Sequence, residues 1–231
     1  MNASILRSTF ILGLTAFVAT FALSHINAIT YPIIQKQERQ KQENALALVL
    51  PGYSIGEERS AGGDGYNFTY WIGEKTEGNR TIRAYAFIAE KPGYSGAIRT
   101  IVGVDEKSTV LGISIIRQSE TPGLGDRVLE AASSATFFQA ITGRAHEGGE
   151  APSPWFQEQF KGLNAATKIE IVKKGDWNEA MRDELLRKNS VSAITGATIT
   201  TRVVKDSIEE GVRTLKMALD EHAKAQEAPV R

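Results

Sequence analysis

The opening of the chain admits few kinds of fold. From Met1 to Gln35 the only Lys, Arg, Asp or Glu is Arg7. The run Ser8-Thr-Phe-Ile-Leu-Gly-Leu-Thr-Ala-Phe-Val-Ala-Thr-Phe-Ala-Leu-Ser24 continues through His-Ile-Asn-Ala-Ile-Thr-Tyr-Pro32. About 20 such residues, rising about 1.5 Å each as a helix, match a hydrocarbon core of about 30 Å. A bilayer interior accepts only backbone that satisfies its own hydrogen bonds, so a helix is the expected form. A cleaved signal peptide would use Ile26-Asn27-Ala28, but its apolar region would be long and its –3 residue bulky. A helix in a soluble core would show a charged outer stripe, and none is present. The sequence therefore predicts a short cytoplasmic N-terminus at 1–7, a transmembrane helix at 8–30, a membrane-proximal helix at 31–50 and an extracytoplasmic domain at 51–231. Orientation rests on Arg7 and the amino terminus inside, with Lys36, Arg39 and Lys41 after the span offset by Glu38 and Glu43.

Composition removes several functions. Lys and Arg number 27 against 27 Asp and Glu, a formal charge of zero, which argues against nucleic acid as a partner. No cysteine is present, so disulfide scaffolds, thiolate metal sites and cysteine nucleophiles are excluded. His25, His146 and His222 show no metal-ligand spacing.

Beyond the anchor, Gln35 to Leu50 reads as a helix stopped by Pro51-Gly52, and Ala61-Gly-Gly-Asp-Gly65 as a turn cluster. Strand-like runs follow at Tyr70–Ile72, Ile82–Ala89, Ile98–Val104 and Val110–Ile116, joined by the short turns Lys91-Pro-Gly93 and Asp105-Glu-Lys-Ser108 that suit antiparallel neighbours. Residues 129–144 read as a helix, 147–154 as a loop, Lys168–Val172 as a strand and Trp177–Lys188 as a helix. The last helix is expected from about Thr201 to Ala223. Its apolar stripe is Val204, Ile208, Val212, Leu215 and Leu219, with Lys205, Glu209, Arg213 and Lys216 on the outside. The expected fold class is α+β: a curved antiparallel sheet with packed helices behind one N-terminal transmembrane helix.

Familiar catalytic patterns fail. Gly123-Leu-Gly125-Asp-Arg-Val128 begins like a dinucleotide fingerprint but has Val128 in place of the third glycine and no parallel βαβ context. No Gly-x-Ser-x-Gly elbow, His-Glu-x-x-His or phosphate-loop lysine signature occurs. Glu209 and Glu210 read as a solvated helix face, and the sequons at Asn67 and Asn79 as chance matches. Two segments remain. Glu120-Thr-Pro-Gly-Leu-Gly125 follows a strand, and its glycines let backbone approach a flat ligand while Leu124 offers an apolar contact. Thr195-Gly-Ala-Thr198 precedes the last helix. Thr200 and Thr201 are its candidate N-caps, and Thr198 falls just outside the first turn, beside the free N–H groups that favour an anion.

In order behind one span, Gly93-Tyr-Ser-Gly-Ala-Ile-Arg-Thr-Ile-Val-Gly-Val-Asp105, Glu120-Thr-Pro-Gly-Leu-Gly125 and Thr195-Gly-Ala-Thr198 resemble RnfG, the FMN-binding G component of the Rnf electron-transport complex. The C component of the sodium-pumping NADH:quinone reductase is a close relative. The resemblance is clearest from about residue 90 to 215. It implies an extracytoplasmic FMN-binding domain at 51–231 and FMN held by a phosphoester to Thr198, with Thr195, Gly196 and Ala197 around the attachment. A separate flavin transferase using FAD is implied to make the bond. Glu120, Thr121, Pro122, Gly123, Leu124 and Gly125 are implied to lie close to the isoalloxazine. The family motif usually carries Asp three residues before Thr195; Ser192 stands there. The resemblance further implies an electron carrier without catalytic or metal-ligating residues of its own, partnered by the integral-membrane and redox subunits of an ion-translocating ferredoxin:NAD oxidoreductase. It would sit in the cell inner membrane with its C-terminal domain in the periplasm. The C component of the quinone reductase, a tethered binding module without cofactor, and a secreted flavoprotein released by signal cleavage are the competing expectations.

Overall fold

The computed structural model describes residues 3–62, 68–78, 80–130, 154–175 and 177–227, and it divides into two compact units, Met1–Glu43 and Asn44–Arg231. Helix α1 runs over Ala3–Val49 (47 residues) with Pro32 inside it, so the segments expected at 8–30 and 31–50 are one continuous helix. It is long and apolar enough to cross a membrane, and none of its apolar window is buried. Phe10, Leu12, Phe17 and Phe21 stand between 66% and 71% exposed. Apolar surface of that extent calls for an apolar surrounding rather than water.

The second unit is built on a curled antiparallel sheet. Among the described residues it has strands β1 (Ser54–Ile55), β2 (Arg59–Ala61), β3 (Phe68–Glu77), β4 (Arg80–Pro92), β5 (Ala97–Asp105) and β6 (Val110–Arg117). The order is β1-β3-β4-β5-β6, with β2 also pairing β3. The four longest strands contain the four apolar runs of the sequence, and each continues past the C-terminal end of its run into residues such as Glu74, Glu90, Asp105 and Arg117 that the ladder holds in register. Two-residue β1 and three-residue β2 were not predicted; they are too short to carry a period of their own and exist by pairing with β3.

Alternation along these strands separates two cores, as a pleated strand requires. Tyr70, Phe87, Ile98, Val102 and Val104 face one side, with Phe156, Phe160, Ile194, Val204 and Ile208. Trp71, Ala84, Ala86 and Ile101 face the other, where Ala45, Leu46, Val49 and Leu50 pack. The end of α1 thus belongs to the folded domain. It stops where Pro51-Gly52 was expected to stop it, Gly52 having φ +77°.

The remaining elements are short: α2 (Trp155–Glu158), α3 (Arg182–Arg187), and β7 (Glu170–Val172) paired in parallel with β8 (Ser190–Ser192). The predicted strand over Lys168–Val172 contains β7. The predicted helix over Trp177–Lys188 condenses to a 3-10 turn at Glu179–Met181 and α3. Most of the predicted helix over 129–144 and loop over 147–154, residues 63–65 of the turn cluster, and both sequon asparagines lie outside the described residues. Within reach of that helix, Leu129 instead ends a 3-10 helix, Gly125–Leu129.

Helix α4 spans Thr198–Glu227 (30 residues), and here the structure corrects three expectations. The helix starts at Thr198 rather than Thr201, so Thr198 is its first residue and not a residue outside it. Thr200 and Thr201 are not caps: Thr200 Oγ1 donates to Glu120 Oε2 at 2.5 Å, and Thr201 Oγ1 accepts from Ile194 N and donates to Ala197 O. Third, Lys205 and Glu209 are not on a solvated face. Lys205 bonds Glu209 at 3.2 Å and Asp206 at 2.6 Å, and Glu209 Oε1 accepts the backbone N–H of Ile169. Burial acts to lower the pKa of the Lys205 ammonium, yet hydrogen bonds to Asp206 and Glu209 outweigh it and hold the pKa above its usual value. A helical wheel does not reveal that the chain near Ile169 covers this side of α4.

Gly211 brings α4 onto the sheet, because a Cβ there would fall on the buried ring of Phe87. Gly211→Ala gains about 1 kcal/mol of helix propensity but overpacks a filled core at about 1–3 kcal/mol. The net loss expected is about 0–2 kcal/mol, read as a lowered denaturant midpoint of the domain; a raised midpoint would contradict the packing.

Candidate functional site

The two motif loops each contain a tight turn. Leu124 N donates to Thr121 O at 3.1 Å, with Pro122 second and Gly123 third at φ +73°. Proline then positive φ at these places is the pattern of a type II turn. Ala197 N likewise donates to Ile194 O at 3.0 Å, with Gly196 third at φ +80°. The first turn presents Leu124; the second delivers Ala197 and Thr198 into the start of α4. The loops meet, since a Cβ at Gly196 would lie 3.0 Å from Leu124 Cδ2.

Between them is a cavity of about 410 Å³ lined by Tyr94, Glu120, Thr121, Leu124, Gly125, Gly196, Ala197, Thr198, Ile199 and Thr200, within the range of about 300–1,000 Å³ usual for small-molecule sites. Seven residues expected near a cofactor are brought together there: Glu120, Thr121, Leu124, Gly125, Gly196, Ala197 and Thr198. Thr195, Pro122 and Gly123 are not among the lining residues; their place is in the two turns, and Gly123 borders a separate cleft with Gln118, Asp126 and Arg127. Tyr94, Ile199 and Thr200 line the cavity and were not anticipated. The signal for Tyr94 was present in the sequence, an aromatic between the glycines of Gly93-Tyr-Ser-Gly96, the same glycine-bracketed arrangement that drew attention to Leu124.

The chemistry of the lining is divided. Tyr94, Leu124 and Ile199 form an exposed apolar rim, suited to a flat ring system. Thr198 is half-buried, and its hydroxyl makes no hydrogen bond among the described residues. At the first position of α4 it lies where unpaired N–H groups and the positive end of the helix dipole favour an anion by about 0.3–1 kcal/mol. Gly196 and Ala197 leave the approach to that hydroxyl almost free of side chain. Apolar plates, an unengaged hydroxyl and a helix start together fit a phosphorylated flat cofactor such as FMN. Ser192, which stands in place of the usual Asp, is fully buried in β8 and donates to Gly175 O at 2.6 Å.

Residues 93–213 match the FMN-binding domain family, and residues 1–49 match the RnfG N-terminal region. The G component of the proton-translocating ferredoxin:NAD(+) oxidoreductase complex of Clostridium ljungdahlii is 28% identical over 214 residues, 90% of this chain and 90% of the relative. The G component of the ion-translocating oxidoreductase complex of Buchnera aphidicola is 28% identical over 225 residues, 92% of this chain and 88% of the relative. Among solved structures, the C component of the Na(+)-translocating NADH-quinone reductase of Parabacteroides distasonis aligns with a TM-score of 0.47 at 17% identity, over 85% of this chain and 97% of that one. With an FMN-binding domain over more than half its length behind an RnfG N-terminal region, the chain belongs to the RnfG family of FMN-binding-domain proteins.

Proposed function

We propose that the chain is the electron-carrying G component of a membrane-bound, ion-translocating ferredoxin:NAD oxidoreductase complex, with FMN fixed by a phosphoester to Thr198. The observation that carries this reading is the Thr198 hydroxyl, without a hydrogen bond among the described residues, at the first residue of α4 and in one cavity with Gly196 and Leu124. In the attachment step, Thr198 Oγ bonds to the FMN phosphorus of FAD as the pyrophosphate bond to AMP breaks. AMP leaves, the hydroxyl proton is lost, and a flavin transferase is the catalyst. Bound there, the flavin supplies the redox chemistry. With FMN bound, Thr198 would hold the phosphate, the start of α4 would balance its single negative charge, and Tyr94, Leu124 and Ile199 would offer apolar surface to the ring.

A covalent bond suits a domain on the periplasmic side of the inner membrane, where no free FMN replaces a lost cofactor. Arg7 before the span supports that orientation, and α1 supplies the anchor. The names of the relatives support the choice of partners, the other integral-membrane and redox subunits of such a complex. The match of residues 1–49 favours the G component of the Rnf type over the C component of the quinone reductase.

Protein made in a host that expresses the transferase is expected to give a fluorescent band on a denaturing gel, with an intact mass that retains residues 1–28. A dark band would favour the tethered binding module. A fluorescent band cut after Ala28 would favour the secreted flavoprotein.

A further inference from the structure

Glu120 lies at the meeting point of the three motif segments. The residue is only 6% exposed, and no ion pair to it occurs among the described residues. Burying a carboxylate without compensation is costly, so the identity of its partners matters. Oε1 accepts the backbone N–H of Ser95 at 3.0 Å, and Oε2 accepts the Thr200 hydroxyl at 2.5 Å. Each oxygen of the buried group is thus satisfied by a protein donor. These bonds cross 25 and 80 residues of sequence. A further bond, between Ser95 Oγ and Thr121 Oγ1 at 3.1 Å, runs beside them.

Two motif glycines are explained by the same group. A Cβ at Gly93 would collide with Glu120 Oε1, and a Cβ at Gly125 would lie 2.6 Å from Oε2 and 2.7 Å from Thr200 Oγ1. Both positions leave the space that the Glu120 side chain occupies. Thr200, 1% exposed, is third in α4, two residues beyond Thr198, so anything that fixes Thr200 fixes the turn that carries the attachment hydroxyl. Ser95 likewise adjoins Tyr94 on the cavity rim.

We propose that Glu120 is the positioning residue of the attachment site: one buried carboxylate ties the Tyr94 turn to the first turn of α4 and so sets where the Thr198 hydroxyl is presented. This rests on the reading that Thr198 carries the flavin. Glu120 takes no part in the bond-forming step and acts through Thr200. Glu120→Gln keeps one acceptor but turns an amide donor towards the Thr200 hydroxyl, Thr200→Val removes the donor, and Thr200→Ser retains it.

The test measures the initial rate of flavin attachment by purified transferase with FAD, by intact mass, on full-length protein at saturating concentration and well below each variant's melting temperature. Wild type and Thr200→Ser are expected to load within about threefold of each other. Thr200→Val is expected to be slower by about tenfold or more, the cost of losing that buried hydrogen bond, and Glu120→Gln, whose amide N–H still reaches the Thr200 hydroxyl oxygen, to fall between it and wild type. A purely structural role would lower the melting temperatures of both Thr200 variants and leave saturated rates alike. Thr200→Val loading at the wild-type rate, or Thr200→Ser as slow as Thr200→Val, would overturn the proposal. If wild type itself takes up no flavin, the attachment reading fails and this one falls with it; if wild type loads and the variants match it, only the clamp is refuted.

Discussion

Thr198→Ala is expected to leave no flavin on the denatured chain. Thr198→Val should do the same while matching the shape of the lost side chain. Because the Thr198 hydroxyl makes no internal hydrogen bond among the described residues and the side chain is only half-buried, neither change removes a structural contact. Stability should stay within about 0.5 kcal/mol of wild type, as for surface substitutions away from special features. The predicted pair of results, full loss of fluorescence on a denaturing gel with an unchanged melting temperature, separates an attachment point from a structural residue. Thr195, whose hydroxyl is close in sequence but outside the cavity lining, serves as the internal comparison: Thr195→Val should keep its flavin. A Thr198→Ala band as bright as wild type would move the attachment elsewhere.

Gly196→Val is expected to reduce attachment almost as severely for a different reason. The backbone at Gly196 has φ +80°, a conformation that costs a side chain with a Cβ about 1–2 kcal/mol and a β-branched one more. The first added carbon would also press on Leu124 Cδ2 at 3.0 Å. The turn must then shift, and Thr198 shifts with it. Each 1.4 kcal/mol of misplacement corresponds to about tenfold in rate, so loading should fall by about tenfold or more. Gly196 is exposed and borders no packed core, so the domain should still fold, as circular dichroism and a cooperative melt would show. Gly196→Ala, with less bulk at the same φ, should fall between the two. Normal loading of Gly196→Val would mean that the site is roomier than its geometry shows.

Much of this arrangement was legible in the sequence, and what was not has physical causes. The four long strands announced themselves because their apolar residues alternate or run unbroken between short polar turns. The apolar stripe of α4 was equally plain, and Val204, Ile208, Val212 and Leu215 are all buried on the core side. The start of that helix was misplaced because a threonine hydroxyl near a helix start normally bonds locally. Thr201 does bond locally, but backwards to Ile194 and Ala197, whereas Thr200 reaches a carboxylate 80 residues away. Nothing within one segment reveals such a partner. The same limit explains Lys205 and Glu209, which periodicity places on the outer side of α4 although the chain near Ile169 covers them.

The candidate site was legible as motifs but not as roles. Pro122, Gly123 and Thr195 belong to the motifs as builders of two turns, whereas the cavity is lined by what those turns present. Glu120 appeared as a neighbour of a flat ligand, yet both of its oxygens are engaged by protein donors. Tyr94 belongs to the motif that carries the resemblance without standing out as a lining residue, because its turn has no chemistry of its own until the β4–β5 hairpin brings it into the cavity that Thr198 also lines.

The central claim is a single covalent bond, and the mass of one peptide tests it most directly. Protein purified from its native host is digested, and the fragment containing residue 198 is weighed and sequenced by fragmentation. The account predicts that this peptide is heavier than its amino acids by one FMN less one water, with the added mass on Thr198. A peptide of unmodified mass, or the added mass on another residue, would contradict it.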